Sequence, residues 1–204
     1  MLKIQQITAL FTLCIMCACQ PGQQQEEVKE ASVSRTGVSQ TGVSQTGVSQ
    51  TGDIEQKLAD MGVELYDLPV PEANFVRAVR TGNLVFLAGH GPVTPEGNYV
   101  TGKLGQDLSI EEGQQAARYT GITLLSALKA EIGDLDKVSR VVKVHGMVNG
   151  TTDFIEQPKV MNGFSDFIVE VFGEKGKHAR AAVGMGSLPN NIAVEIEMIV
   201  EVED

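Results

Sequence analysis

Tryptophan is absent from this chain of 204 residues, and cysteine is absent after Cys19. The 3 cysteines, Cys14, Cys17 and Cys19, crowd the leader, so the rest of the chain has no disulfide framework and no thiolate metal site. Histidine occurs 3 times, at His90, His145 and His178. That scatter matches no metal-ligand spacing, so no metal and no cofactor are expected. His145 and His178 read as structural. Basic residues are outnumbered, 16 against 26 acidic, for a net charge of −10. Charges balance before Asp53 (Lys3, Lys29 and Arg35 against Glu26, Glu27 and Glu30), so the whole surplus falls after it. An acidic domain repels a phosphate backbone, and no aromatic stripe runs among basic residues; no nucleic-acid partner is expected. The leader's apolar run is too short to span a bilayer comfortably.

That run extends from Ile7 to Ala18, follows a charge at Lys3, and ends at Cys19. A charged start, an apolar stretch and a small residue before the cut make an export signal. With cysteine directly after Ala18 it resembles a bacterial lipoprotein signal, which implies cleavage and lipidation at Cys19. A plain cleaved signal and an uncleaved anchor are the alternatives. Lipidation would place the protein in the cell envelope, anchored on the periplasmic or outer-membrane side. Residues 20–52 read as a disordered tether. They carry four tandem pentapeptides, Val33–Gly37 (VSRTG) and then three copies of VSQTG ending at Gly52. A five-residue period builds no solenoid, and the apolar content builds no core. About thirty such residues span roughly 30 Å.

The folded domain is expected over 53–204. Asp53 caps a first helix through Met61. Phe75–Arg80 and Leu84–Ala88 read as a hairpin turned at Thr81-Gly82-Asn83. Pro95-Glu96-Gly97-Asn98 reads as another turn. Ser109-Ile110-Glu111-Glu112 is a capping box opening a long helix that Gly133 stops. Val138–Val148 reads as a strand, Asn149–Thr152 as a turn or insert, and Gln157–Phe172 as a second long helix. The fold class is α+β, a mixed sheet with two main helices packed on one face. The other sheet face, including Ile199, would be bare in a monomer, which argues for closed self-association.

Lys177–Val202 carries the chemistry and reads as a terminal hairpin turned at Ser187–Asn191. Its second strand alternates, with Val194, Ile196, Met198, Val200 and Val202 on one face and Glu195, Glu197 and Glu201 on the other. Arg180 is the lone charge among small and apolar residues of the first strand. A buried guanidinium needs an anion, and its planar fork suits a carboxylate. Glu195 is the candidate base. The alternative is an edge-strand arginine and a glutamate face, both in water. In a strict hairpin Glu195 lies opposite about Gly184, so sharing a cleft with Arg180 requires side-chain reach, a bulge at Gly184 or Gly186, or different subunits.

Ala179-Arg180, Leu188-Pro189 and Val194-Glu195-Ile196-Glu197 resemble the signature of the Rid/YjgF family of reactive-intermediate deaminases. Ala78-Val79, Gly82-Asn83-Leu84-Val85-Phe86, Ala88-Gly89, Val141–Val144 and Asn162 extend the match over roughly 63–202. The resemblance implies a chorismate-mutase-like fold, a homotrimer with clefts between subunits, and hydrolysis of 2-imino or enamino acids. Water adds to C=N, ammonia leaves, and a 2-keto acid remains. It gives Arg180 the substrate carboxylate and Glu195 the water, with Gly89 and Asn162 lining the cleft. Phe75, Ala88 and Ala182 stand where the deaminases commonly show Tyr, Ser and Cys, so three polar atoms are missing. His90 either replaces a lost donor or is an exposed loop residue. A non-catalytic module binding small carboxylate metabolites is the rival reading.

Overall fold

The computed structural model describes residues 52–203. Cys19 and all but the last residue of the expected tether lie outside them. The order is α1 (Asp53–Asp60), β1 (Ala78–Thr81), β2 (Leu84–His90), α2 (Ile110–Ile132), β3 (Val138–Asn149), α3 (Gln157–Phe172), β4 (Ala179–Met185) and β5 (Val194–Val202). α2 forms where the capping box expects it: Ser109 Oγ accepts from Glu112 N, and the Glu112 carboxylate accepts from Ser109 N. Gly133 ends it at φ 81°. Polar residues on its buried face are tolerated because Thr120, Thr123 and Ser126 donate to carbonyls one turn back. α3 presents Val160, Phe164, Phe167, Ile168 and Val171 inward, fully buried. Each such side chain contributes about 1.5–3 kcal/mol of burial.

Two local expectations are corrected. Asp53 is not the cap of α1; Gly52 holds that position and makes no side-chain cap bond. The free N–H groups of Asp53 and Ile54 instead donate to the Asp136 carboxylate, at 2.7 and 2.9 Å. The acceptors that a helix start requires come from the turn before β3. The first strand is also shorter than read: it begins at Ala78, and Phe75 lies outside it. Pro95–Asn98 does turn the chain, closing a single antiparallel bridge between Val93 and Tyr99.

The larger correction concerns the C-terminal strands. The sheet order is β1-β2-β5-β3-β4, so β4 and β5 are not neighbours and form no hairpin. β3 lies between them, parallel to β4 and antiparallel to β5. Pairing β3 with a parallel partner requires a crossover, and α3 supplies it. The turn chemistry at Leu188–Asn191 is present, with Asn190 and Asn191 at φ 53° and 57°. It spans two strand positions rather than one. β3 has Val138, Val141, Val144 and Val148 fully buried and takes a partner on each side.

The wide connection is held by Asn149, the last residue of β3 and completely buried. Its Nδ2 donates to Asn191 Oδ1 at 3.0 Å and to Ile192 O at 3.1 Å, and its Oδ1 accepts from Lys103 Nζ at 2.9 Å. Asn149→Ala leaves several of these partners unsatisfied. Denaturant unfolding should show a loss of about 2–4 kcal/mol, since each orphaned buried group costs about 1–3 kcal/mol. A change below about 0.5 kcal/mol would show that the loop does not depend on it.

Both long helices lie on one face of the sheet, and the core fills the space between. They approach closely where a Cβ on Gly163 would fall 2.1 Å from Gln114 O. On the other face Val79, Phe86 and Ile199 occupy one row across β1, β2 and β5. Val79 and Phe86 are 54% and 41% exposed.

Candidate functional site

The residues singled out from the sequence fall into two groups on opposite faces of the sheet. The first group belongs to β4 and α3. Arg180 pairs in register with Val144, whose side chain is in the core, and so points to the helix side. There its Nη1 donates to Asn162 Oδ1 at 3.1 Å and to Ser165 Oγ at 2.9 Å, and Nη2 reaches Pro158 O at 3.4 Å. Asn162 and Ser165 sit one turn apart on α3, which brings both to the same edge. Ala182 follows on the same face of β4 and packs against the core. Among the described residues no carboxylate pairs with Arg180; three neutral oxygens hold it.

His178 completes this group. Its Nδ1 lies 2.6 Å from Gly176 O, and a carbonyl only accepts, so the ring proton is on Nδ1. Nε2 is then the acceptor for the Ser165 hydroxyl at 3.1 Å. Burial lowers the His178 pKa, the Gly176 bond opposes this, and Arg180 adds to the lowering, so the ring is neutral near pH 7. Ser165 was not singled out from the sequence, and His178 was read as structural. The available signal was polar Asn162 and Ser165 at helical spacing, one turn apart on the same side of an amphipathic helix.

The second group faces the open side. Glu195 lies between the buried Val194 and Ile196 and therefore points away from the helices. Gly89 lies beside it: a Cβ there would come within 2.1 Å of Glu195 Oε1. Only a residue without a side chain lets β2 run that close to the carboxylate. Burial raises the Glu195 pKa, and repulsion from Glu197 adds to it. Among the described residues nothing donates to this carboxylate. His90, next along β2, is only 4% exposed and is not a loop residue. Its Nδ1 donates to Ala88 O at 2.7 Å, while Nε2 is buried without a partner. Its one ring proton is thus engaged by the backbone. Phe75 is exposed, two residues before the Arg77 carbonyl that accepts from Ala88 N.

The register measures the separation. Arg180 shares a row with Val144 and Met198, whereas Glu195 shares one with Met147 and Val183. Three residues along the strands is about 10 Å, and two strand spacings add about 10 Å across. The bulges lie in β2 and β3, not at Gly184 or Gly186, so β4 stays regular. Within one chain the two side chains do not meet. A concavity of about 590 Å³ lies elsewhere, beside the end of β4, between Lys103, Phe154, Gln157 and Met185; neither Arg180 nor Glu195 lines it.

Residues 55–202 match the family model described as "YjgF/chorismate_mutase-like, putative endoribonuclease". Protein TCP17 of Trypanosoma cruzi is 41% identical over 152 residues, covering 74% of this chain and 95% of that protein. The 2-iminobutanoate/2-iminopropanoate deaminase of Dermatophagoides farinae is 33% identical over 136 residues, covering 66% of this chain and 91% of its own. Protein Atu1372 of Agrobacterium tumefaciens, solved with unknown function, superposes with a TM-score of 0.68 at 42% identity, covering 74% and 94% of the two chains. The chain belongs to the YjgF/RidA family and has its chorismate-mutase-like α+β fold.

Proposed function

We propose that this protein is a hydrolytic imine deaminase that converts 2-imino or enamino acids to 2-keto acids and ammonia. The observation that carries the reading is Arg180, a guanidinium held by three neutral oxygens and without a carboxylate partner among the described residues. A substrate carboxylate supplies the missing charge. Glu195, raised by burial, takes the proton of the water that attacks the C=N carbon. The C=N π pair moves to nitrogen, which takes that proton from Glu195; the carbinolamine hydroxyl then gives its own proton to nitrogen by the same carboxylate, the C–N bond breaks, and ammonia leaves the 2-keto acid.

In this reading the two groups come from neighbouring protomers of a homotrimer. The apolar row Val79, Phe86 and Ile199 on the uncovered face supports association, as does the distance between Arg180 and Glu195 in a single chain. Arg180, Asn162 and Ala182 of one subunit would face Gly89 and Glu195 of the next, with Phe75 and His90 nearby. The named activity of the mite relative is consistent with the reaction. The assay is ammonia and keto-acid release from an imine generated in situ by an amino-acid oxidase, alongside the mass in solution. A monomer with no rate above buffer would end this reading.

A binding module for small carboxylate metabolites is the second reading. Phe75, Ala88 and Ala182 favour it, because they offer no polar side-chain atom. Carboxylate binding without turnover would select it. We also propose that Cys19 carries the lipid and that residues 20–52 hold the domain clear of the cell envelope membrane. Intact mass of the mature protein should show an acylated N-terminal cysteine, and Cys19→Ser should release the protein from membranes. A mature chain without acyl groups would remove the anchor.

A further inference from the structure

Arg180 has five N–H groups, and how many remain for a ligand depends on what holds the rest. Nη1 spends both of its protons, on Asn162 Oδ1 and Ser165 Oγ, and Nη2 spends one, at 3.4 Å, on Pro158 O. Nε–H and one Nη2–H are left, and Nε–H has no partner among the described residues. The Nε–Nη2 edge of the guanidinium plane carries two N–H groups side by side, the arrangement that bonds both oxygens of a carboxylate, and only the long 3.4 Å contact to Pro158 O competes for it.

Ser165 can accept from Arg180 only if its own proton is directed elsewhere. A helical serine ordinarily donates to a carbonyl one turn back, as Thr120, Thr123 and Ser126 do on α2. At Ser165 the acceptor is His178 Nε2, and Gly176 O fixes the tautomer that makes Nε2 an acceptor. Phe164 packs edge-on against the imidazole, with centroids 6.0 Å apart, and holds the ring in place. The result is a directed chain from Arg180 through Ser165 and His178 to a backbone carbonyl.

We propose that Ser165 and His178 are positioning residues for Arg180: with Asn162 they take up Nη1, so that the guanidinium offers its Nε–Nη2 edge to the ligand's carboxylate. This rests on the reading of Arg180 as the carboxylate anchor and assigns two residues to it that no motif of the sequence marked. It narrows the ligand class to small molecules with an unhindered, in-plane carboxylate. An amide, neutral and with a single acceptor oxygen, fits the same edge poorly.

The test is calorimetric titration of the full chain with 2-oxobutanoate and with its amide. Wild type, Ser165→Ala, Ser165→Thr, His178→Phe and Arg180→Ala are compared, with thermal melts reporting folding. The acid should bind wild type, and Ser165→Ala and His178→Phe should each weaken it about tenfold, the effect of losing one bond to a charged group. Ser165→Thr, which keeps the hydroxyl, should stay within about twofold. The amide should bind weakly and alike to every variant. Acid binding unchanged in both Ser165→Ala and His178→Phe would overturn the proposal while leaving Arg180 as the anchor. Equal losses for acid and amide would also overturn it, by showing a general structural role. No acid binding by folded wild type would overturn both the proposal and the anchor reading.

Discussion

Arg180→Ala is expected to weaken binding of a 2-keto acid about a hundredfold or more and to remove turnover of the matching imine. Two charge-assisted bonds to one carboxylate are at stake, each worth about 1.5–3 kcal/mol. The reacting carbon also loses its fixed orientation. Stability should change by less than about 1 kcal/mol, because, of the partners left behind, Asn162 and the Pro158 carbonyl are at the surface and Ser165 is only part-buried, so water can replace the guanidinium. Lysine at this position should recover little, since an ammonium cannot present two parallel donors. Retained binding and turnover in a correctly folded Arg180→Ala protein would remove the basis of the proposed function.

Glu195→Gln is expected to lower kcat by about 10²–10⁴, the range for loss of a positioned general base, with KM little changed. The pH profile carries the sharper signature. Burial and then Glu197 raise the Glu195 pKa, so wild-type kcat/KM should fall as pH drops, with a midpoint above the usual carboxylate range of about 4.3. The glutamine variant should lose that limb. The linked effect on stability has the opposite sign. A raised folded-state pKa means the native protein binds the extra proton, so stability declines as pH rises from the unfolded pKa through the folded one. Glu195→Gln should flatten that decline. An unchanged pH profile would move the proton acceptor elsewhere.

Local structure was legible in the residues. The capping box at Ser109, the stop at Gly133, the apolar stripe of α3 and the alternation of β5 each depend on neighbours a few positions away. The Val194-Glu195-Ile196 pattern also told which side chain turns from the core. Pairing was not legible. Turn residues at Leu188–Asn191 show that the chain reverses, but not that another strand occupies the space between. The expected opposition of Glu195 and Gly184 fell one residue from the observed row, yet β3 lies in the middle of it. The cap of α1 failed for the same reason: its acceptor, Asp136, is 83 positions away. Ser165 escaped notice because a serine on a helix has a local use for its proton, and only a distant imidazole gives it another.

By itself, then, the sequence determined most of the elements and the two-helices-on-one-face class, and it singled out Arg180 and Glu195 as the charged groups to watch. Those features follow from periodicity and from the cost of burying charge, both short-range properties. The tertiary structure alone decided that β3 separates the last two strands and that Arg180 and Glu195 look out from opposite faces of the sheet. It also brought Ser165 to the guanidinium and His178 to Ser165. Strand order and side-chain partnership depend on long-range packing of buried surfaces, and no local pattern encodes which buried strand will find which neighbour.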